Sequence, residues 1–329
     1  MNAPLKRFTC ADAWAIYTAR HTAVYAAHPE TQDYNWKNLG QKFGKVPVGK
    51  VDQNLVDEYV AARTSGAIGK PSATATMRRE LALLLAAIRF CANRKRRLIP
   101  PEDVPAFDLP PASMPRERWL RDYELKAFFA TAARNRTRSS QFGDTPRLSR
   151  VERFAYIALE TGARKQAILD LSWDRVDFKI GVIYFDVPGR RRTKKRRAAV
   201  PISSLLRRVL LRAFRERISN LVLDNGGGVW APIQHIAMKA GLFIGNPVAV
   251  PAGTKPPATG IGPHTFRHTC ATNMVRNGVS LWKVAKILGN SVQMIERVYG
   301  HHTAADLLDA VEKISTEWRP TGDDSDLHI

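Results

Sequence analysis

The chain has 329 residues, which suggests two domains, and its 44% hydrophobic and 25% charged residues exclude a disordered or low-complexity protein. Lys and Arg outnumber Asp and Glu by 51 to 30, so the net charge is +21. A folded protein with this charge is predicted to bind a polyanion, with nucleic acid favoured over an anionic membrane.

Three further absences narrow the class of protein. The sequence has no apolar run of about 18 residues, so no transmembrane helix is expected. The N-terminus lacks the apolar core of a signal peptide. The cysteines at 10, 91 and 270 are far apart, which argues against a disulfide framework and a zinc finger. A reduced, cytoplasmic setting is expected.

Residues 1–107 are predicted to form a helical domain. The first helix is expected over residues 11–26. Apolar residues at helical spacing predict a second helix around 55–60 and a third over 77–88, capped by Ser72 or Thr74. The run Arg94–Arg97 is expected to close the third helix, either as a solvated end or as a phosphate contact.

Prolines crowd residues 100–115, so the stretch 101–116 is predicted to be extended. We take 108–115 as a linker, 116–320 as a second domain and 321–329 as an acidic, disordered tail. The second domain is predicted to be mixed, with both helices and strands. Helices are predicted at 122–134, 149–162, 232–240, 264–277, 281–288, 292–299 and 304–315, and strands at 182–187 and 197–202.

A basic turn separates the two predicted strands, since seven of the eight residues 190–197 are Lys or Arg. Charges this dense repel one another unless a polyanion lies near, so DNA explains them better than a localisation signal or a solvated loop. The predicted DNA contacts are Arg190, Arg191, Arg192, Arg196 and Arg197, together with Arg94, Lys95, Arg96 and Arg97 of the first domain.

Four residues are candidates for chemistry on a phosphate. Pro263 should begin a helix that presents His264 and Arg267 on one face, which suits an anion, although spacing alone fits a solvated face better. Arg164 follows a helix break and is either an anion ligand or a surface cation. Tyr299 ends a short apolar helix, and by itself it would be an ordinary half-buried tyrosine.

In combination, these motifs resemble the tyrosine recombinase (phage integrase) family. The order is TGAR, a basic hairpin ending in VPI, HxxRH, LG-x-S and a tyrosine, and RERWLRDYEL (116–125) resembles the start of the family's catalytic domain. VGKVDQNLVDEYVAAR and ATMRRELALLLAAIRF resemble its helical core-binding domain, so the likeness spans about residues 8–315. It implies a mostly α fold with a small β-sheet (α+β): an N-terminal helical, SAM-like core-binding domain followed by a tyrosine-recombinase catalytic domain.

The resemblance assigns roles to these residues. It implies that Tyr299 attacks DNA to form a 3′-phosphotyrosine, that Arg164 and Arg267 hold the phosphate, and that His264 has an acid/base or positioning role. The family's proton donor is a lysine of the hairpin. Lys194 fits best, Lys195 is second, and a gapped alignment would place Arg192 there. No metal and no nucleotide cofactor is implied.

This chain departs from the family pattern at two positions. Asn290 stands where the family has His or Trp. Its amide can donate a hydrogen bond but cannot ionise, and compensation by His301 or His302 is a weak alternative. Ala167 stands where many members have an acidic residue, and Asp170 lies one turn further on. Both departures put the efficiency of catalysis in doubt more than the type of reaction.

The leading hypothesis is therefore a site-specific recombinase, an integrase of a prophage or another mobile element, in a bacterial or phage context and associated with the nucleoid. The implied partners are double-stranded DNA at attachment or core sites, a homo-tetramer on DNA with a monomer in solution left open, and accessory DNA-bending or directionality factors. The C-terminal helix is expected to dock on a neighbouring protomer or in cis. The alternatives are a non-catalytic DNA-binding accessory, a Xer-like resolvase and a type IB topoisomerase.

Overall fold

The computed structural model describes residues 8–26, 29–112, 118–136, 146–189, 197–224, 227–244 and 258–300. The chain divides into two compact units, Met1–Pro115 and Arg116–Ile329. In the part of the chain that is described, no helix has both the length and the apolar character that a membrane span requires.

Unit 1 is helical and has its own apolar core. Leu81, Leu84 and Ile88 of its longest helix are fully buried and pack with Phe43 and Tyr59. A π-helical turn, Thr18–Thr22, interrupts the first helical region. The α-helices are α1 (Cys10–Tyr17), α2 (Ala23–Tyr25), α3 (Pro29–Phe43), α4 (Gln53–Ser65) and α5 (Thr74–Ala92).

Two of the sequence predictions for unit 1 are wrong in detail. Neither Ser72 nor Thr74 caps α5, because its N-cap is Ala73, which makes no side-chain cap bond. The Ser72 hydroxyl instead accepts a 2.8 Å hydrogen bond from Arg63. The basic run Arg94–Arg97 lies beyond the end of α5 at Ala92 rather than in its last turn.

A buried polar network joins α3, α4 and α5. Glu80 is fully buried and accepts hydrogen bonds from Arg63 at 3.0 and 3.1 Å, from Tyr59 at 2.8 Å and from Asn38 at 3.1 Å. Arg63 also donates to the backbone carbonyls of Ile68 and Lys70. A buried charge with this many partners is satisfied, so the network fixes the loop after α4.

The segment after α5 is fastened to unit 1. Arg78 Nη1 donates to the carbonyl of Pro110 at 2.6 Å, and the backbone N–H of Asp108 donates to Gln53 Oε1 at 2.8 Å. Phe107 and Leu109 pack against the core of the unit. The first residues of the predicted linker 108–115 therefore lie along unit 1.

Unit 2 combines helices with a small antiparallel sheet. Its three-stranded sheet has the order β1–β2–β3, with Ile183 paired to Val176 on one side and to Val200 on the other. The strands are β1 (Val176–Asp177), β2 (Val182–Tyr184) and β3 (Ala199–Pro201). The α-helices are α6 (Asp122–Arg134), α7 (Arg150–Thr161), α8 (Lys165–Leu169), α9 (Ser204–Arg215), α10 (Trp230–Lys239), α11 (Pro263–Arg276), α12 (Leu281–Leu288) and α13 (Val292–Tyr299).

The core of unit 2 forms around α7 and α11. Phe266 of α11 is fully buried and meets Phe128 and Phe154 edge-on, with ring centroids 5.2 and 6.4 Å apart. Such contacts between aromatic rings fix the rotation of a helix about its axis. With Phe266 in the core, the positions of the neighbouring residues on α11 are set.

The base of the hairpin between β2 and β3 is tied to the end of α8. Arg197 Nη2 makes a 2.7 Å ion pair with Asp170 Oδ2, and the Arg197 side chain is only 9% exposed. Arg175, also buried, donates to the backbone carbonyl of Asp170. These contacts anchor the hairpin close to the helix that follows Arg164.

Candidate active site

The chain brings three separate segments together in unit 2. They are the break between α7 and α8, which carries Arg164, the helix α11, and the α12–α13 hairpin, which carries Asn290 and Tyr299. Of the residues predicted from the sequence, the hydrogen bonds below place Arg164, Arg267, Asn290 and Tyr299 in one cluster, and His264 lies one turn before Arg267.

Gly162 makes the close approach of α7 and α12 possible. It ends α7 in the left-handed conformation, with φ +60°, which glycine adopts without a steric cost. A Cβ at this position would overlap the side chain of Leu288 and would lie 3.3 Å from Cys270 Sγ. Glycine is needed here for two reasons: the backbone is left-handed, and the side chain of Leu288 occupies the space that a Cβ would fill.

Arg267 is buried at this junction, with 7% of its surface exposed. Its Nη1 donates to the carbonyl of Gly162 at 2.5 Å, and its Nη2 donates to the carbonyl of Leu288 at 2.9 Å. Burial, together with the charge of Arg164, lowers the pKa of Arg267 to about 10, so it remains a cation at neutral pH. The two bonds fix the plane of the guanidinium group.

Arg164 is the N-cap residue of α8 and is half-buried. Its Nη2 donates to Asn290 Oδ1 at 2.6 Å and, more weakly, to the carbonyl of Gly289 at 3.4 Å. Because a guanidinium group only donates, the amide of Asn290 must present its oxygen to Arg164 and turn its NH₂ group elsewhere. Asn290 thus orients one of the two arginines.

Tyr299 is buried at the end of α13, with 6% of its surface exposed. Its hydroxyl lies 2.8 Å from Nδ1 of His268. Burial raises the pKa of Tyr299 to about 12, and the nearby positive charge of Arg267 opposes this increase. The hydroxyl is therefore protonated at neutral pH and lies close to a permanent cation.

His264 is exposed in the first turn of α11, one turn before His268. The segment that leads into this turn is held by α10. Gln234 donates to the carbonyl of Ile261 and accepts a 2.7 Å hydrogen bond from Thr259. A Cβ on Gly262 would overlap the ring of Trp230, so α10 packs directly against the start of α11.

The second departure from the family pattern concerns Ala167 and Asp170, which lie within and at the end of α8. Ala167 is buried with 3% exposure, and the carboxylate of Asp170 pairs with Arg197. Because the guanidinium of Arg197 makes this ion pair, Arg197 anchors the base of the hairpin, and its predicted DNA contact stays a prediction. The other predicted hairpin residues, Arg190, Arg191, Arg192, Lys194, Lys195 and Arg196, lie outside the described residues, as do His301, His302 and the predicted helix 304–315.

The basic run in unit 1 divides into two kinds of residue. Arg94, Lys95 and Arg97 are exposed. Arg96 is half-buried, and its guanidinium lies over the ring of Phe90, 3.4 Å from the centroid. Three of the four predicted phosphate contacts are therefore accessible, and the fourth makes a cation–π contact within the unit.

Sequence reasoning gave no role to His268, although the HxxRH motif contains it. Its spacing from His264 places both histidines on one side of α11. That signal was available, but the partner of His268 is Tyr299 of α13, which lies 31 residues further along the chain. Within the described ranges, no group of three or more His, Cys, Asp or Glu residues lies together in a way that could hold a metal ion.

The model of the phage integrase family matches residues 118–306, which is more than half of the chain. The chain belongs to the phage integrase family. The resemblance to tyrosine recombinases that the motifs indicated is confirmed. A comparison with the curated proteins finds no match.

Solved structures show the same fold. The Tn1549 transposon integrase in complex with transposon right end DNA is 16% identical, with a TM-score of 0.68, and the match covers 93% of this chain and 99% of that one. The XerH site-specific recombinase bound to a palindromic difH substrate, in a post-cleavage complex, is 16% identical, with a TM-score of 0.59 and coverages of 92% and 84%. The predicted fold class, mostly helical with a small sheet, is confirmed.

Proposed function

We propose that this protein is a site-specific DNA recombinase that cuts and rejoins strands through a phosphotyrosine at Tyr299. The observation that carries the proposal is the cluster formed by Tyr299, Arg267 and Arg164. The hydroxyl of Tyr299 is buried where the charge of Arg267 acts on it, and the charge of Arg164 lowers the pKa of Arg267, so Arg267 lies within electrostatic reach of both the nucleophile and the second arginine.

The chemistry follows from these groups. As the Tyr299 oxygen attacks phosphorus, negative charge develops on the non-bridging oxygens, and fixed guanidinium groups stabilise it. The product is a 3′-phosphotyrosine and a free 5′-hydroxyl, and the stored phosphodiester energy allows rejoining without ATP. The 5′-oxygen needs a proton, for which we propose Lys194, with Lys195 second. For His264, exposed next to the cluster, we propose an acid/base or positioning role.

We propose double-stranded DNA as the partner. The net charge of +21 and the exposed Arg94, Lys95 and Arg97 of unit 1 support electrostatic binding to the phosphate backbone. The related structures of the Tn1549 integrase and XerH contain DNA, which supports the same partner here. We propose that residues 1–107 act as the DNA clamp and residues 116–320 as the catalytic domain, linked through 108–115 and followed by a tail, 321–329.

The proposed biological role is integration or excision of a prophage or another mobile element, in the bacterial cytoplasm at the nucleoid. Recombination between two duplexes would use a tetramer, with accessory DNA-bending or directionality factors. A non-catalytic DNA-binding accessory is the competing hypothesis. The contact of Asn290 with Arg164 favours the enzyme, because the departure from the family pattern still leaves that arginine with an orienting partner.

Covalent capture tests the proposal without knowledge of the recognition site. The protein is incubated with a library of nicked duplexes that have a randomised central segment, and SDS-resistant adducts are isolated and sequenced. The recombinase is expected to enrich a defined sequence. Salt-sensitive binding to DNA without any adduct would instead identify the accessory. Adducts on every plasmid sequence, with relaxation of supercoils, would identify a topoisomerase.

A further inference from the structure

The hydroxyl of Tyr299 and Nδ1 of His268 lie at hydrogen-bond distance. Since burial raises the pKa of Tyr299 to about 12, the phenol carries its proton at neutral pH. Burial, together with the charges of His264 and Arg267, lowers the pKa of His268 below its usual value, so its imidazole is neutral. A neutral imidazole protonated on Nε2 offers Nδ1 as an acceptor. In that tautomer the phenol donates to Nδ1 over 2.8 Å.

We propose that His268 is a further catalytic residue, the general base that accepts the proton of Tyr299 as its oxygen attacks the phosphate. This inference rests on the proposed function. The Oη–H bond breaks and its proton moves to Nδ1, the Oη–P bond forms, and the P–O5′ bond breaks. The departing 5′-oxygen takes its proton from the hairpin lysine. During rejoining, the imidazolium returns its proton to the tyrosine, so no other reactant is needed.

The surroundings of His268 suit this task. Among the described residues, the charged and titratable groups that act on it are His264 and Arg267 on α11 and Tyr299 on α13. The positive charge of Arg267 disfavours protonation of His268 before the reaction, which keeps the acceptor free. His264 is exposed, whereas His268 is partly buried against the tyrosine ring, with ring centroids 5.7 Å apart. Geometry selects His268 because its nitrogen contacts the reacting oxygen.

A purely structural role predicts something different. If His268 only holds Tyr299 in place, any side chain that accepts the same hydrogen bond should suffice. His268→Asn makes this distinction, because an asparagine amide oxygen can accept the hydrogen bond but cannot take up a proton at neutral pH. His235→Asn is the matched control, since His235 is exposed on α10 and outside the cluster.

The test uses the nicked duplex obtained by covalent capture. His268→Asn should slow adduct formation about 100-fold or more while DNA affinity stays unchanged, and the decline of the wild-type rate at acid pH should disappear. In a substrate with a 5′-bridging sulfur, the leaving group needs no proton. This substrate should restore adduct formation by Lys194→Ala but not by His268→Asn. A wild-type rate and pH profile in His268→Asn would overturn the proposal.

A second measurement needs no cleavage. In protein labelled with ¹⁵N-histidine, the Nδ1 signal and titration midpoint of His268 should change in Tyr299→Phe, while those of His235 should not. If the His268 signals are unchanged, the contact is absent and the proposal fails. If they change but the wild-type protein forms no adduct with the library, the proposed function fails, and the histidine–tyrosine pair is a structural contact only.

Discussion

Asn290 accepts a 2.6 Å hydrogen bond from Arg164 through its Oδ1, which joins the turn before α13 to the start of α8. The side chain that departs from the family pattern therefore contacts one of the two arginines at the proposed site. This contact locks the guanidinium in one orientation, and such preorganisation is what transition-state stabilisation requires.

We predict that Asn290→Leu, which removes this acceptor at similar volume, slows adduct formation about tenfold to a hundredfold, because hydrogen bonds to charged groups contribute about 1.5–3 kcal/mol. Gln293→Leu, at an exposed position on α13, is the control and should cleave normally. Single-turnover capture on the selected duplex measures both. Full activity of Asn290→Leu would show that Arg164 needs no partner here.

A substitution at Gly162 tests the close approach of α7 and α12 that positions Arg267. Gly162→Ala should destabilise unit 2 by more than the roughly 1 kcal/mol of a left-handed residue, since its Cβ would overlap Leu288. It should also reduce cleavage, because the Gly162 carbonyl holds Arg267. Gly181→Ala, with φ +70° and no atom within 4 Å of the new Cβ, isolates the conformational cost. Equal melting temperatures and rates for the two variants would refute this account.

The buried network of unit 1 predicts a large and local effect on stability. Glu80→Gln leaves Arg63, whose side chain is 3% exposed, without its carboxylate, and should cost about 3 kcal/mol or more. Glu58→Gln breaks the exposed ion pair with Lys42 and should cost less than about 1 kcal/mol. Hydrogen exchange of peptides from α4 and α5, referenced to peptides of unit 2, measures both. Similar protection in the two variants would contradict the prediction.

The exposed basic residues of unit 1 predict the salt dependence of DNA binding. Replacing Arg94, Lys95 and Arg97 by alanine should weaken binding and reduce the slope of log K against log salt by about 0.9 for each phosphate that these side chains neutralise. Arg96→Ala serves as the control, because its guanidinium lies over Phe90. Fluorescence anisotropy over a range of salt concentrations gives the slopes. An unchanged slope in the triple variant would place the run outside the DNA interface.

Much of the fold could be predicted from local patterns. Helix α6 begins and ends where its periodic apolar residues predicted, and α12 and α13 likewise match, because glycine or serine marks their ends. Helix α3 was missed because PETQDYNWKNLGQKF is mostly polar and becomes helical through packing on α5. Helix α9 was missed although SLLRRVLLRAFR carries a clear amphipathic pattern.

The candidate site was located from the sequence only by the joint order of its motifs. Hydrogen bonds between residues far apart in the chain decide the rest. Neither the contact of Asn290 with Arg164 nor that of His268 with Tyr299 leaves a local pattern, because each depends on how α13 packs. The ion pair of Arg197 with Asp170, which anchors the base of the hairpin, could not be predicted for the same reason.

The most direct test of the central claim is the site of covalent attachment. After capture, trypsin and nuclease digestion should leave a nucleotide on the peptide that spans residues 298–313, in which Tyr299 is the sole tyrosine. Mass spectrometry should find a 3′-phosphate link on Tyr299, and Tyr299→Phe should form no adduct while still binding DNA. A nucleotide on any other residue, or an SDS-resistant adduct formed by Tyr299→Phe, would contradict the account.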